Sequence, residues 1–206
     1  MISTHEKSST PGVLPWWSSN RGFGVLAALT GLVAFIASGI LVLERLELYK
    51  NPDYVTSCDF SPWVSCGTVM KSWQAALFGF PNPFIGIVGF AIVITVGMAM
   101  LSGAKFAKWY WLGFQLGITF AMGFIIWLWS QALYDINALC LYCMVVWAMT
   151  IPLFVHTTAR NIIHGVLPAG AGLKKFAAEW SWVITVVLLL VTAASIMARF
   201  PNAFFG

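Results

Sequence analysis

Five stretches of this sequence carry no Asp, Glu, Lys or Arg: residues 22–43, 72–104, 109–134, 136–159 and 180–198. Each is long enough for the roughly 20 residues that carry a helix across the hydrocarbon core of a bilayer. In lipid, backbone N–H and C=O groups must be satisfied within the segment, which a helix does without partners. The chain is therefore expected to be an all-α membrane protein. Composition agrees, since only 9% of the residues are charged, against about 25% in an average soluble domain.

The second stretch is overlong and contains Pro81 and Pro83, which disfavour helix before them, so its spanning helix is expected to begin near Phe84. The other spanning helices are expected near residues 23–43, 109–131, 138–156 and 180–199. A secretory signal would have a shorter apolar run, of roughly 7–15 residues, so 22–43 reads as a retained helix, with cleavage as the alternative. Residues 1–21, rich in Ser, Thr, Pro and Gly, read as a disordered cytoplasmic tail.

Lysines and arginines set the orientation. With the N-terminus inside, the inner side holds Lys7, Arg21, Lys105, Lys108, Arg160, Lys174 and Lys175, and the outer side holds Arg45, Lys50, Lys71 and Arg199. Seven against four favours that orientation, and five crossings put the C-terminus outside. The formal charge of +4 is spread along the chain with no basic, aromatic-interleaved patch, so nucleic acid is not an expected partner. Between the first two spans lies a long outer loop, 44–83, in which Met70, Trp73, Ala76 and Leu77 recur at helical spacing. That short amphipathic stretch, 67–78, is expected to lie along the membrane surface. No repeat, phosphate-binding glycine loop or nucleotide motif is present.

All four cysteines, Cys58, Cys66, Cys140 and Cys143, fall on the outer side of this topology, where disulfides persist. Cys140 and Cys143 form a C-x-x-C at the outer start of the fourth helix, with Asn137 available as its N-cap. Residues three apart share a helical face, and unpaired N–H groups at a helix start stabilise thiolate. Such a pair can cycle between dithiol and disulfide. Cys58 and Cys66 lie in the loop, seven residues between them, within reach of water and soluble partners. Exchange between the two pairs would proceed by thiolate attack through a mixed disulfide. Other uses stay open: Cys58 and Cys66 as a structural staple, Cys140 and Cys143 as small apolar side chains, or a four-cysteine zinc site. The histidines, His5, His156 and His164, all fall on the inner side and could not assist a metal there.

With Cys66-Gly-Thr-Val-Met-Lys-Ser72, Asn82-Pro-Phe-Ile-Gly86 and Cys140-Leu-Tyr-Cys143 in this order, the chain resembles the vitamin K epoxide reductase family, and its bacterial members in particular, over about residues 25–156. The resemblance implies a four-helix bundle, residues 22–156, around a quinone of the menaquinone or ubiquinone type, with residues 157–206 adding an inner segment and a fifth helix. It implies electron flow from a reduced partner to Cys58, from Cys66 to Cys140, and from Cys143 to the quinone, with no metal. Asn82 would hydrogen-bond a quinone carbonyl, and Ser72 would support the pocket near the loop cysteines. Trp147, Phe84 and Phe114 suit an apolar ring with two acceptor oxygens. Where vertebrate members carry tyrosine, this chain has Trp147, which donates but cannot accept, so epoxide reduction is not expected. Many bacterial members continue into a thioredoxin-like domain; this sequence ends at Gly206, and the expected partner is a separate thioredoxin-fold oxidase. The expectation is a quinone-dependent disulfide oxidase of the inner membrane, its cysteines outside. A quinone or quinone-epoxide reductase is the alternative within the same fold.

Overall fold

The computed structural model describes residues 14–201. Most of the expected disordered tail, residues 1–13, lies outside the described residues, as do 202–206. A turn of 3-10 helix at Trp16–Ser18 leads into α1 (Asn20–Lys50). The short α2 (Cys66–Lys71) and a second 3-10 turn (Trp73–Ala76) precede α3 (Pro83–Leu101). Then come α4 (Lys108–Gln131), which runs into a π-helical turn (Ala132–Ile136), α5 (Leu141–Ile163) and α6 (Ala171–Arg199). Five of these helices are long and apolar enough to cross a membrane, and no strand is present among the described residues. The protein is an all-α, multi-pass membrane protein.

Several helices outrun the charge-free stretches, because lipid thickness and helix termination are separate matters. α1 continues through Glu44, Arg45 and Glu47, with Glu47 and Lys50 paired at 2.7 Å, and stops where Pro52 disfavours helix at Asn51. α5 continues past Arg160 and ends ahead of Gly165, whose φ of 72° suits glycine. α6 starts nine residues before the expected 180. At the N-terminal end, the expected disorder does not extend to Trp16–Arg21. Ser19 caps α1 by accepting from the Gly22 N–H, Trp17 and Ser18 are buried, and the His164 ring donates to the Ser18 carbonyl at 2.9 Å.

α1 is the centre of the bundle, packed along α3 and against α5; α4 and α6 pack on α5. Small residues let α1 and α3 close on each other: a Cβ on Gly97 would stand 2.7 Å from the Ala28 nitrogen and 2.9 Å from the Gly24 carbonyl oxygen. Phe23, Phe90, Val93, Met100 and Trp111 fill the space beside that seam. Far from the cysteines, Arg160 lies over the Trp111 ring at 4.0 Å and donates to the Asn20 side chain, while Asn161 donates to Gln115 at 2.9 Å. A charge at that depth is tolerable because ring and amide both face it. α3 and α4 scarcely touch, and the gap between them matters for the site.

Candidate active site

The loop between α1 and α3 is held by the buried Glu44 and the half-buried Asp59 as well as by an apolar cluster of Leu41, Leu48, Met70 and the cysteines. Glu44, at the end of α1, accepts from the Ser57 N–H. Beside it, burial and the Glu44 carboxylate push the Tyr54 phenol above its usual value. Asp59 accepts from Thr56 N–H (2.9 Å), Ser65 Oγ (2.7 Å) and Gly67 N–H (3.0 Å), and so ties the start of the loop to the start of α2. Partial burial pushes the Asp59 carboxyl up, but the bonds from Gly67, Ser65 and Thr56 outweigh it and hold it below the ordinary carboxylate value.

A carboxyl depressed on folding stabilises the loop at neutral pH and withdraws that support as the pH falls through its folded value. Amide exchange across 56–67 is thus expected to stay slow down to about pH 4, the ordinary aspartate range, and to accelerate only below it. Asp59→Asn is expected to raise exchange at neutral pH and remove the acid transition. A loop that loosened well above pH 4 would show that another group holds it.

Backbone pairing brings the loop to α5. Leu139 N–H donates to the Trp63 carbonyl (2.8 Å), and Ser65 N–H donates to the Leu139 carbonyl (2.9 Å). The bonded residues Ser65 and Leu139 each immediately precede a cysteine, so the pairing sets Cys66 and Cys140 side by side. Cys58 and Cys66 are joined as a disulfide, Cys140 and Cys143 are free thiols, and the Cys66 and Cys140 sulfurs are 3.3 Å apart. Sγ of Cys58, Cys66 and Cys140 lie within 4.8 Å of one another. Tyr142 and Ser57 meet through their hydroxyls at 3.1 Å.

The N-cap of α5 is Cys140, not Asn137. Its sulfur accepts from the Cys143 N–H at 3.3 Å. Asn137 instead adopts a left-handed conformation (φ 56°), which asparagine tolerates, and ends the π-helical turn. Arg199, the last residue of α6, donates to the Leu133 carbonyl and the Asn137 side chain. The fifth helix, with Val183, Val187 and Leu190 turned outward, thereby braces the turn that delivers Cys140.

Next to Cys140 and Cys143 lies a cavity of about 820 Å³ lined by α1, α3, α4 and α5, to which α6 contributes nothing. Its wall is aromatic and aliphatic with few polar groups, as a quinone ring requires. Exposed Val88, Ile92 and Phe120 are part of that wall, so the cavity reaches the lipid-facing surface through the gap between α3 and α4. Gly113 and Gly117 leave that side of α4 open, since a Cβ on either would meet nothing within 4 Å.

Asn82, Phe84, Phe114 and Trp147 all line the cavity, with Phe84 at its exposed rim and the other three buried. Ser72 does not. It breaks the expected stretch 67–78 into α2 and a 3-10 turn, and its hydroxyl donates to the Val69 carbonyl at 2.7 Å. Nor is that stretch a single amphipathic helix: Met70 is buried with the cysteines, whereas Trp73 is 64% exposed. Asn82 donates to the Gln74 carbonyl (2.6 Å) and accepts from the Leu77 N–H (3.2 Å), so it fastens the turn before α3. Among the polar wall residues that the sequence reading did not single out are Arg45 and Gln74. Gln74 is buried and donates to Asp135 and Gln131. Arg45 could have been found by helical arithmetic, lying one turn on from Leu41.

A helical membrane bundle with one cysteine pair in the wall of a lipid-accessible apolar cavity and a second pair in contact with it defines a membrane redox protein. A sequence model of the Vitamin K epoxide reductase family matches residues 25–158, and the chain belongs to that family. Membership brings membrane oxidoreductase chemistry between thiols or disulfides and quinones, in a family that typically works with thioredoxin-like partners. No curated protein matches the chain.

Proposed function

We propose that the protein oxidises a separate thioredoxin-fold dithiol protein and passes the electrons to a membrane quinone, supporting disulfide formation in exported proteins. The 3.3 Å approach of the Cys66 and Cys140 sulfurs, one from each pair, carries this reading. In the first step a partner thiolate attacks Cys58 of the Cys58–Cys66 disulfide; its second thiol resolves the mixed bond, leaving the partner oxidised and the loop pair reduced. Cys66 thiolate then attacks Cys140 of an oxidised Cys140–Cys143 pair, and Cys58 resolves that mixed bond in turn. The loop pair ends oxidised and the helix pair reduced, which is the state described above.

Two electrons and two protons leave Cys140 and Cys143 as their disulfide reforms, and the quinone accepts them as quinol. The residues fit that substrate: Phe114 and Trp147 offer ring faces, and the second N–H of the Asn82 amide has no protein partner among the described residues. The lysine and arginine asymmetry supports an inner-membrane orientation with the cysteine end outside.

Reduced partner and quinone, added to the purified protein, are expected to give oxidised partner and quinol in equal amounts. Consumption of a quinone epoxide at a comparable rate would make the protein an epoxide reductase instead. Three clustered sulfurs could also serve a metal, and stoichiometric zinc in the purified protein would replace the relay by a metal site. Asn82→Ala is expected to slow quinol formation about tenfold through the lost donor, with exchange at Cys58 unchanged. Equal loss in both half-reactions would assign Asn82 to the loop alone.

A further inference from the structure

Among the described residues, Arg45 is the one charged side chain in the cavity wall. It follows Ser38 and Leu41 along the face of α1 that lines the cavity, and Leu41 and Leu48, to either side of it, pack with the cysteines. One guanidinium nitrogen donates to the Met70 carbonyl of α2, and the Tyr49 ring lies 4.6 Å below. Nε is buried with no partner, and no carboxylate lies within ion-pair distance among the described residues. The adjacent acids are engaged elsewhere, Glu44 with Ser57 and Glu47 with Lys50.

A guanidinium has five N–H donors, of which the Met70 carbonyl occupies one, and a half-buried cation with spare donors beside an apolar wall is suited to receive an anion. We propose that Arg45 stabilises the negative charge that gathers on a ring oxygen of the quinone as electrons arrive from Cys140 and Cys143. This rests on the quinone reading above. Electrons reach the ring oxygens before protonation is complete, and a fixed cation at that position offsets the charge without reorganising. The cation is not consumed: the dithiol loses two electrons and two protons, a sulfur–sulfur bond forms, and both carbonyls become hydroxyls.

The alternative role is positional, with Arg45 only fastening α2 through Met70. Equilibrium binding separates the two. The whole chain in detergent is titrated with 2-hydroxy-1,4-naphthoquinone, which is ionised at neutral pH, and with its uncharged methyl ether, by tryptophan fluorescence quenching. The native protein is expected to favour the anion. Arg45→Met is expected to lose about tenfold of the affinity for the anion, the scale of a charge-assisted hydrogen bond, with the ether bound as before. Arg45→Lys, which keeps the charge and guards against a misfolded Met variant, is expected to keep part of the preference. Equal loss of both ligands in Arg45→Met, or an anion preference that survives the substitution, overturns the proposal. A native protein that binds both equally also overturns it, while one that binds neither removes the quinone site itself.

Discussion

Alanine at position 143 is expected to stop turnover and leave Cys140 covalently joined to Cys66. With the loop pair oxidised, the Cys140 sulfur sits 3.3 Å from that of Cys66 and can attack it as the thiolate, releasing Cys58. In the native protein the same mixed disulfide is cleared forward by Cys58 attack on Cys66 and backward by Cys143 attack on Cys140. Without Cys143 the helix pair cannot form its disulfide, the adduct equilibrates only with the Cys58–Cys66 disulfide and is held once Cys58 is alkylated, and quinol formation is expected to fall by at least about 10³-fold, as for other groups that act as a unit. Non-reducing digestion with mass analysis should find the 66–140 peptide pair and alkylated Cys58. Cys140→Ser should be equally inactive but yield no such pair. Full activity in the Cys143 variant, without the adduct, would remove the relay.

Gly97→Leu is expected to be among the more damaging single changes outside the cysteines. A Cβ there meets backbone atoms of Ala28 and Gly24 at 2.7 and 2.9 Å, and backbone cannot turn aside as a flexible side chain can. Overpacking a well-packed core costs about 1–3 kcal/mol, and this contact, backbone on both sides, is expected near or above the top of that range. A matched control is Gly117→Ala, whose Cβ enters open space. Thermal melts in detergent should show a large fall in Tm for the first and little for the second. The loss should extend to activity, because the packing of α1 on α3 sets two walls of the cavity that Arg45 and Asn82 help to line. Similar melts for the two variants would mean that α1 and α3 do not depend on that approach.

Five spans could be read from the sequence because charge avoidance is a local property, visible residue by residue. Helix ends could not be placed the same way: α1 and α5 run on into polar surroundings until Pro52 and Gly165 stop them. The grouping of the cysteines at one end followed from counting crossings, but their contact depends on two backbone bonds between Leu139 and the 63–65 segment. No periodicity signals a pairing across more than seventy residues. Asn137 looked like a cap because asparagine favours caps; the π-helical turn consumed it in a left-handed bend, and the cysteine sulfur took the cap position. Ser72 carried its expected role by resemblance alone, and its hydroxyl turned back to Val69. Arg45 and Gln74 stayed hidden because a charged or amide side chain in a loop region reads as solvated until the neighbouring helices close over it.

Disulfide mapping of the purified protein, supplied with reduced partner and with quinone first withheld and then added, bears most directly on the electron path. Cys140 and Cys143 are expected to accumulate as thiols while quinone is absent and to return to a disulfide once it is added, with the loop pair following. A helix pair whose redox state ignores the quinone would contradict the path at its last step.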